Sequence, residues 1–257
     1  MMRLLAVAFF VLRCSVATAP AAVLDWSTVG WPGSPVPLSN TYTNVGGSGV
    51  NVTVAFSGNT SALQSGNPNT TSSQIGGTGK TSLQADVLFP SKTTAGITVT
   101  ITFSKPVYVT NLNILDVDAT LSSGGWQDQI SAIKGVTAGG TTVNPVGVVG
   151  GGSAVTVTGN STTGFTALGL TSTTNSSSSN VSVNFGNYQV TQISFLYSPG
   201  PNQPNNPSDQ RIGLDNITFS LTPEVGPSLA AMTLCGLVML ARMQQDQKKK
   251  KRSESTV

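Results

Sequence analysis

Ile97, Val99, Ile101 and Phe103 alternate with Thr98, Thr100 and Thr102. Only an extended strand places such a row on one side, because successive strand side chains point to opposite faces. The same two-residue period recurs at Val50, Val52, Val54 and Phe56. Further strands are predicted over 82–89, 107–117, 129–136, 142–149, 154–158, 164–168, 180–185, 189–197 and 211–221. Pro106 precedes one of these runs, and a residue without an N–H predicts an entry or edge position there. Turn residues separate the runs, among them Ser57-Gly58-Asn59, Gly139-Gly140 and Ser198-Pro199-Gly200-Pro201. About ten strands with no helical period predict an all-β fold, a single jelly-roll-like β-sandwich. The polar stretches 59–81, 171–179 and 199–209 read as solvated loops.

The two ends depart from this pattern. Arg3, the apolar run 4–12 and the small residues 17–22 make residues 1–22 a secretory signal peptide, leaving the ectodomain at 23–222. Residues 223–257 form a tail. Pro223-Glu224-Val225-Gly226-Pro227 leads into a hydrophobic helix at 228–241, and Arg242 opens a basic end that closes with Lys248 to Arg252. An apolar segment followed by positive charge fits a helix held in a membrane with its end on the cytoplasmic side.

Eight of the thirteen basic residues belong to these ends, so the chain's net charge of +3 misdescribes the body, where seven aspartates face five bases. No basic stripe marks the body, which excludes a nucleic-acid partner. The chain has no histidine, both cysteines (Cys14 and Cys235) lie in the apolar ends, and the two glutamates lie in the tail. Imidazole, thiol and glutamate chemistry are thereby removed from the body. Gly76-Gly77-Thr78-Gly79-Lys80-Thr81 is like the end of a phosphate-binding loop, but Gln74 stands where that pattern needs glycine, and no nucleotide is expected.

The tail resembles the PEP-CTERM sorting signal of bacterial surface proteins, with Pro223, Glu224, Pro227 and Arg242 as the sorting residues; Val225 takes the place of its second proline. The resemblance implies processing by an exosortase-type membrane peptidase and anchoring, transient or stable, in the cell envelope. Trp26 to Trp31, Leu112 to Asp118 and Gln210 to Phe219 together resemble the β-sandwich modules of surface proteins carrying such tails.

Within the body, Asp116 and Asp118 fall on one side of a predicted strand, with Asp128 ten residues beyond Asp118. Two carboxylates on one face repel unless a cation or proton lies between them. Calcium prefers such oxygens, so a structural Ca²⁺ is expected at Asp116, Asp118 and Asp128, completed by Asp215. Flat aromatic rings stack on sugars, and of Trp26, Trp31, Trp126 and Tyr188 the candidate for carbohydrate contact is Trp126, in a Gly-Gly loop beside the acids. No pairing of aspartates is spaced for hydrolysis, and no catalytic residue is expected. The sequence therefore predicts an exported cell-envelope or extracellular-matrix protein, structural or adhesive and not an enzyme. A carbohydrate-binding module acting on exopolysaccharide is the alternative.

Overall fold

A computed structural model describes residues 20–221 except 73–74, 174–175, 206 and 209. The expected signal peptide up to residue 19 and the expected tail from residue 222, with the expected sorting residues Pro223, Glu224, Pro227 and Arg242, lie outside the described residues. In chain order the strands are β1 (Ala22–Leu24), β2 (Ser39–Tyr42), β3 (Val52–Gly58), β4 (Asn69–Thr71), β5 (Ser82–Val87), β6 (Ile97–Asn111), β7 (Asn113–Leu115) and β8 (Asp128–Thr137). There follow β9 (Thr142–Val143), β10 (Gly147–Gly150), β11 (Val155–Asn160), β12 (Gly164–Gly169), β13 (Val181–Asn184), β14 (Val190–Pro199), β15 (Gln210–Leu214) and β16 (Ile217–Ser220). Helix among the described residues is confined to one α-helical turn, α1 (Trp26–Val29), and short 3-10 turns. None is long and apolar enough to cross a membrane.

All strand pairs are antiparallel and fall into two sheets. The first runs β1-β16-β6-β14-β8-β12-β11, with the β2–β3 pair beside β6 and β9 beside β8. The second runs β10-β13-β7-β15-β5-β4. The alternation that predicted β6 is the reason for its place: Ile97, Val99, Ile101 and Phe103 are all buried. They join one apolar cluster with Leu83, Ile114, Val181 and Ile212 of the second sheet, so the two sheets share a core. Full burial of each such side chain contributes roughly 1.5–3 kcal/mol.

Four expectations are corrected by the strand ends. Run 97–103 and the first part of run 107–117, predicted as separate strands, join through Pro106 into β6, and run 107–117 itself divides at Leu112, its later residues forming β7 of the second sheet. Opposite β14, the register slips between Thr102, which faces Gln192, and Val107, which faces Val190. Pro106 sits in that irregularity, where its missing N–H removes no bond from a regular ladder. Run 211–221, predicted as one strand, divides at Asp215-Asn216 into β15 of the second sheet and β16 of the first. Run 142–149 divides likewise into β9 and β10. Finally, the expected loop 59–81 contains β4, which pairs with β5.

The crossing at Asp215-Asn216 is held by Trp26. Its indole Nε1 donates to the Asp215 carbonyl and its backbone N–H to Asn216 Oδ1, both at 3.0 Å. The ring is buried and meets Tyr42 edge-on at 5.7 Å, while Trp31 meets Phe56 in the same manner at 5.7 Å. These aromatics close the core and are not displayed to a ligand. At the start of the domain, Ala22 pairs with Phe219 and is buried, so the folded unit already uses the last residue of the expected signal peptide.

Trp26→Ala is expected to cost about 3–5 kcal/mol of unfolding free energy, the range for losing a buried large aromatic. Equilibrium urea unfolding of the full chain measures it, and an unmoved midpoint would contradict the role assigned to Trp26.

Candidate functional site

After β7 the chain doubles back through a small hairpin. Asp128 N–H donates to the Asp118 carbonyl at 3.0 Å, Thr120 N–H to the Trp126 carbonyl at 2.9 Å, and Gly125 N–H to the Ser122 carbonyl at 2.9 Å. The turn needs its glycine, because a Cβ on Gly125 would lie 1.8 Å from the Thr120 oxygen. This hairpin brings Trp126 beside Asp118, and the indole Nε1 donates to Asp118 Oδ1 at 2.8 Å. Thr173 N–H, from the 171–179 stretch, donates to Asp118 Oδ2 at 2.8 Å. Both oxygens of Asp118 therefore accept hydrogen bonds, and a segment expected to be a plain solvated loop supplies one of the donors.

Asp116 enters by a different route. It follows the last residue of β7 with φ 65°, in the left-handed region that aspartate tolerates better than most residues. Asp116 and Asp118 line one pocket, through a backbone kink and not along the regular strand that the sequence predicts. Between them Val117 is buried, its N–H donating to the Ser179 carbonyl at 2.9 Å. The strand order β7-β15-β5 sets Arg211 between two acids. It faces Asp86 in register, and its Nε donates to Asp116 Oδ2 at 3.4 Å. Asp86, Asp116, Asp118, Trp126, Gln210 and Arg211, with Ser172 and Thr173, line a pocket of about 290 Å³.

Behind this pocket Asp128 is fully buried at the start of β8. Its Oδ1 accepts from the Tyr197 hydroxyl at 2.8 Å, and Asp118 N–H lies 3.4 Å from its Oδ2. Burial pushes the Asp128 carboxyl well above the usual carboxylate range, and the nearby Asp118 and Asp116 charges add to the rise. Burial, then the Asp128 charge, pushes Tyr197 well above the usual phenol value. Asp116 is raised to about 6, first by burial and then by Asp118, with Arg211 opposing. Asp118 is raised by burial, against the pull of the Thr173 and Trp126 donors.

The other sequence candidates fall elsewhere. Asp215 stands opposite Asn113, at the far end of β7 from Asp116. Its carboxylate accepts from Asn216 N–H at 2.8 Å and Asn113 Nδ2 at 3.2 Å, and it does not line the pocket. The fourth calcium ligand expected from the sequence is thus not gathered with the other three acids. Among the described residues no group of three or more Asp, Glu, His or Cys side chains is arranged to hold a metal. Tyr188 is exposed and lines a separate depression with Val146. Gly76 packs on Asn180, where a Cβ would meet Asn180 Oδ1 at 2.1 Å, so packing and not phosphate binding accounts for that glycine. Sequence reasoning missed Asp86, Gln210, Arg211 and Thr173 as pocket residues. Arg211 carried a signal, being the one arginine between residues 23 and 222.

A carboxyl whose folded pKa is raised stabilises the fold most below its unfolded pKa, and that contribution is lost as pH rises through the folded value. For Asp116 the window runs from 3.8 to about 6. Asp116→Asn is therefore expected to flatten the fall in melting temperature across that window, measured by thermal unfolding at stepped pH; an unchanged profile would contradict the placement of Asp116. No family model matches this chain, and neither the curated proteins nor the solved structures contain a match to it.

Proposed function

We propose that this chain is an exported cell-envelope or extracellular-matrix protein, in which a jelly-roll-like β-sandwich has a non-enzymatic structural or adhesive role. A PEP-CTERM-like tail supplies its address, with an exosortase-type peptidase and the membrane as partners. The observation that carries this reading is the order of segments: signal peptide, all-β body, then Pro223-Glu224, an apolar run and a basic end.

A second reading, a carbohydrate-binding module acting on exopolysaccharide, is favoured by one specific observation. The half-buried Trp126 shares a concave pocket with Arg211 and three aspartates, a combination of flat ring and polar groups that suits a sugar. A structural Ca²⁺ at Asp116 and Asp118, with Asp128 behind them, is the cofactor these readings admit.

Fractionation of cells expressing the full chain tests the leading proposal. The full chain is expected in the envelope fraction, and a chain ending at Leu221 is expected released from it. Recovery of both from the cytoplasm would contradict export, and equal envelope retention of both would contradict the role of the tail.

A further inference from the structure

Ala22 is 3% exposed and opens β1, where it pairs with Phe219 of β16. It also packs against the turn at Gly46, where a Cβ would lie 3.2 Å from the Cα and Cβ of Ala22. The two residues before it, Pro20 and Ala21, are exposed. Burial thus begins at the bond between Ala21 and Ala22. An independent observation, from the sequence, falls on the same bond. Ala19-Pro20-Ala21 sets small residues at the first and third places before it, the arrangement that a leader peptidase accepts.

We infer that the leader is cut between Ala21 and Ala22, so that the exported chain starts on the first residue of β1. This inference rests on the export reading and goes beyond it by naming the bond. The neighbouring bonds fail on separate grounds. A cut after Ala22, the end of the signal peptide expected from the sequence, would set Pro20 at the third place, where a small residue is needed. It would also strip a buried residue, and its pairing with Phe219, from the strand. A cut after Ala19 follows Ala17-Thr18-Ala19, but the nitrogen of that bond belongs to Pro20, which lacks an N–H and whose ring crowds the bond. At Ala21–Ala22 the peptidase adds water across the peptide bond. The Ala21 carbonyl carbon takes the oxygen and becomes the leader's carboxylate, and the Ala22 nitrogen takes a proton and becomes the mature α-amino group.

The register also orders the events. A peptidase cleft needs an extended, unpaired segment around the bond, whereas Ala22 to Leu24 are paired with Ile217 to Phe219 in the folded body. β16 is the last strand of the described residues, so the cut comes before β1 docks on it. Expression of the full chain in a bacterium, with mass spectrometry of the N-terminal peptide of the exported product, reads the bond directly. Ala22 is expected as its first residue. Ala21→Lys changes an exposed residue and is expected to accumulate as the uncleaved precursor, because a long charged side chain does not fit the small position beside the bond. A product starting at Pro20 or Val23, or normal processing of Ala21→Lys, would overturn the inference and leave export standing. A leader retained by the unaltered chain would overturn it too, and recovery of that chain from the cytoplasm would overturn the export reading as well.

Discussion

The carboxyl group of Asp128 has no access to water, and one end of the two-sheet body is organised around satisfying it. A buried polar group without partners costs several kcal/mol, more if charged. Tyr197 of β14 supplies a hydroxyl at 2.8 Å, the Asp118 N–H approaches the other oxygen, and Gln210 of β15 lies alongside at 3.5 Å. The first of these contacts ties the strand β8 to its neighbour in the first sheet. The others tie it to the hairpin and to the second sheet. Where Asp128 goes, Asp118 follows, because the two are joined across the base of the hairpin. Trp126 is carried on the same hairpin and locked to Asp118. The surroundings of one buried acid thus fix the wall of the pocket.

That arrangement restricts the chemistry as well as the shape. A body without histidine, cysteine or glutamate has aspartate, lysine, arginine and tyrosine as its titrating groups. Here burial holds protons on carboxyls to higher pH, while Trp126 and Thr173 donate to Asp118 and the Tyr197 hydroxyl donates to Asp128. The left-handed backbone at Asp116 persists because the surrounding packing enforces it.

Much of the fold was legible because period-2 alternation is a local property. The apolar face of β6 and the core positions of β3, β8 and β14 could be read directly. So could the Asp116–Asp118–Trp126 neighbourhood, which lies within a few residues of sequence. Sheet changes were not legible. Nothing in 211–221 marks Asp215-Asn216 as a crossing, because the cause is Trp26, about 190 residues away in the chain. The same distance problem hid Asp86 and Arg211, which reach the pocket only through the register of β5 against β15. Asp215 was grouped with the other acids for its charge, and the backbone separates them by the length of β7. The loops 171–179 and 199–209 look solvated by composition, yet Thr173 bonds Asp118, and Gly200 and Asn202 bond Gln127. Backbone N–H groups leave no trace in composition.

Asp116, Asp118 and Asp128 are buried together, with the Arg211 guanidinium paired to Asp116. Carbon-13 NMR titration of the aspartate side-chain carboxyls reads the effect of that burial directly, residue by residue. Asp128 is expected to keep its proton well beyond the ordinary carboxylate range, and Asp116 is expected to titrate at about 6. If Asp116, Asp118 and Asp128 all titrated at the ordinary value of 3.8, the burial of these carboxyls would be contradicted.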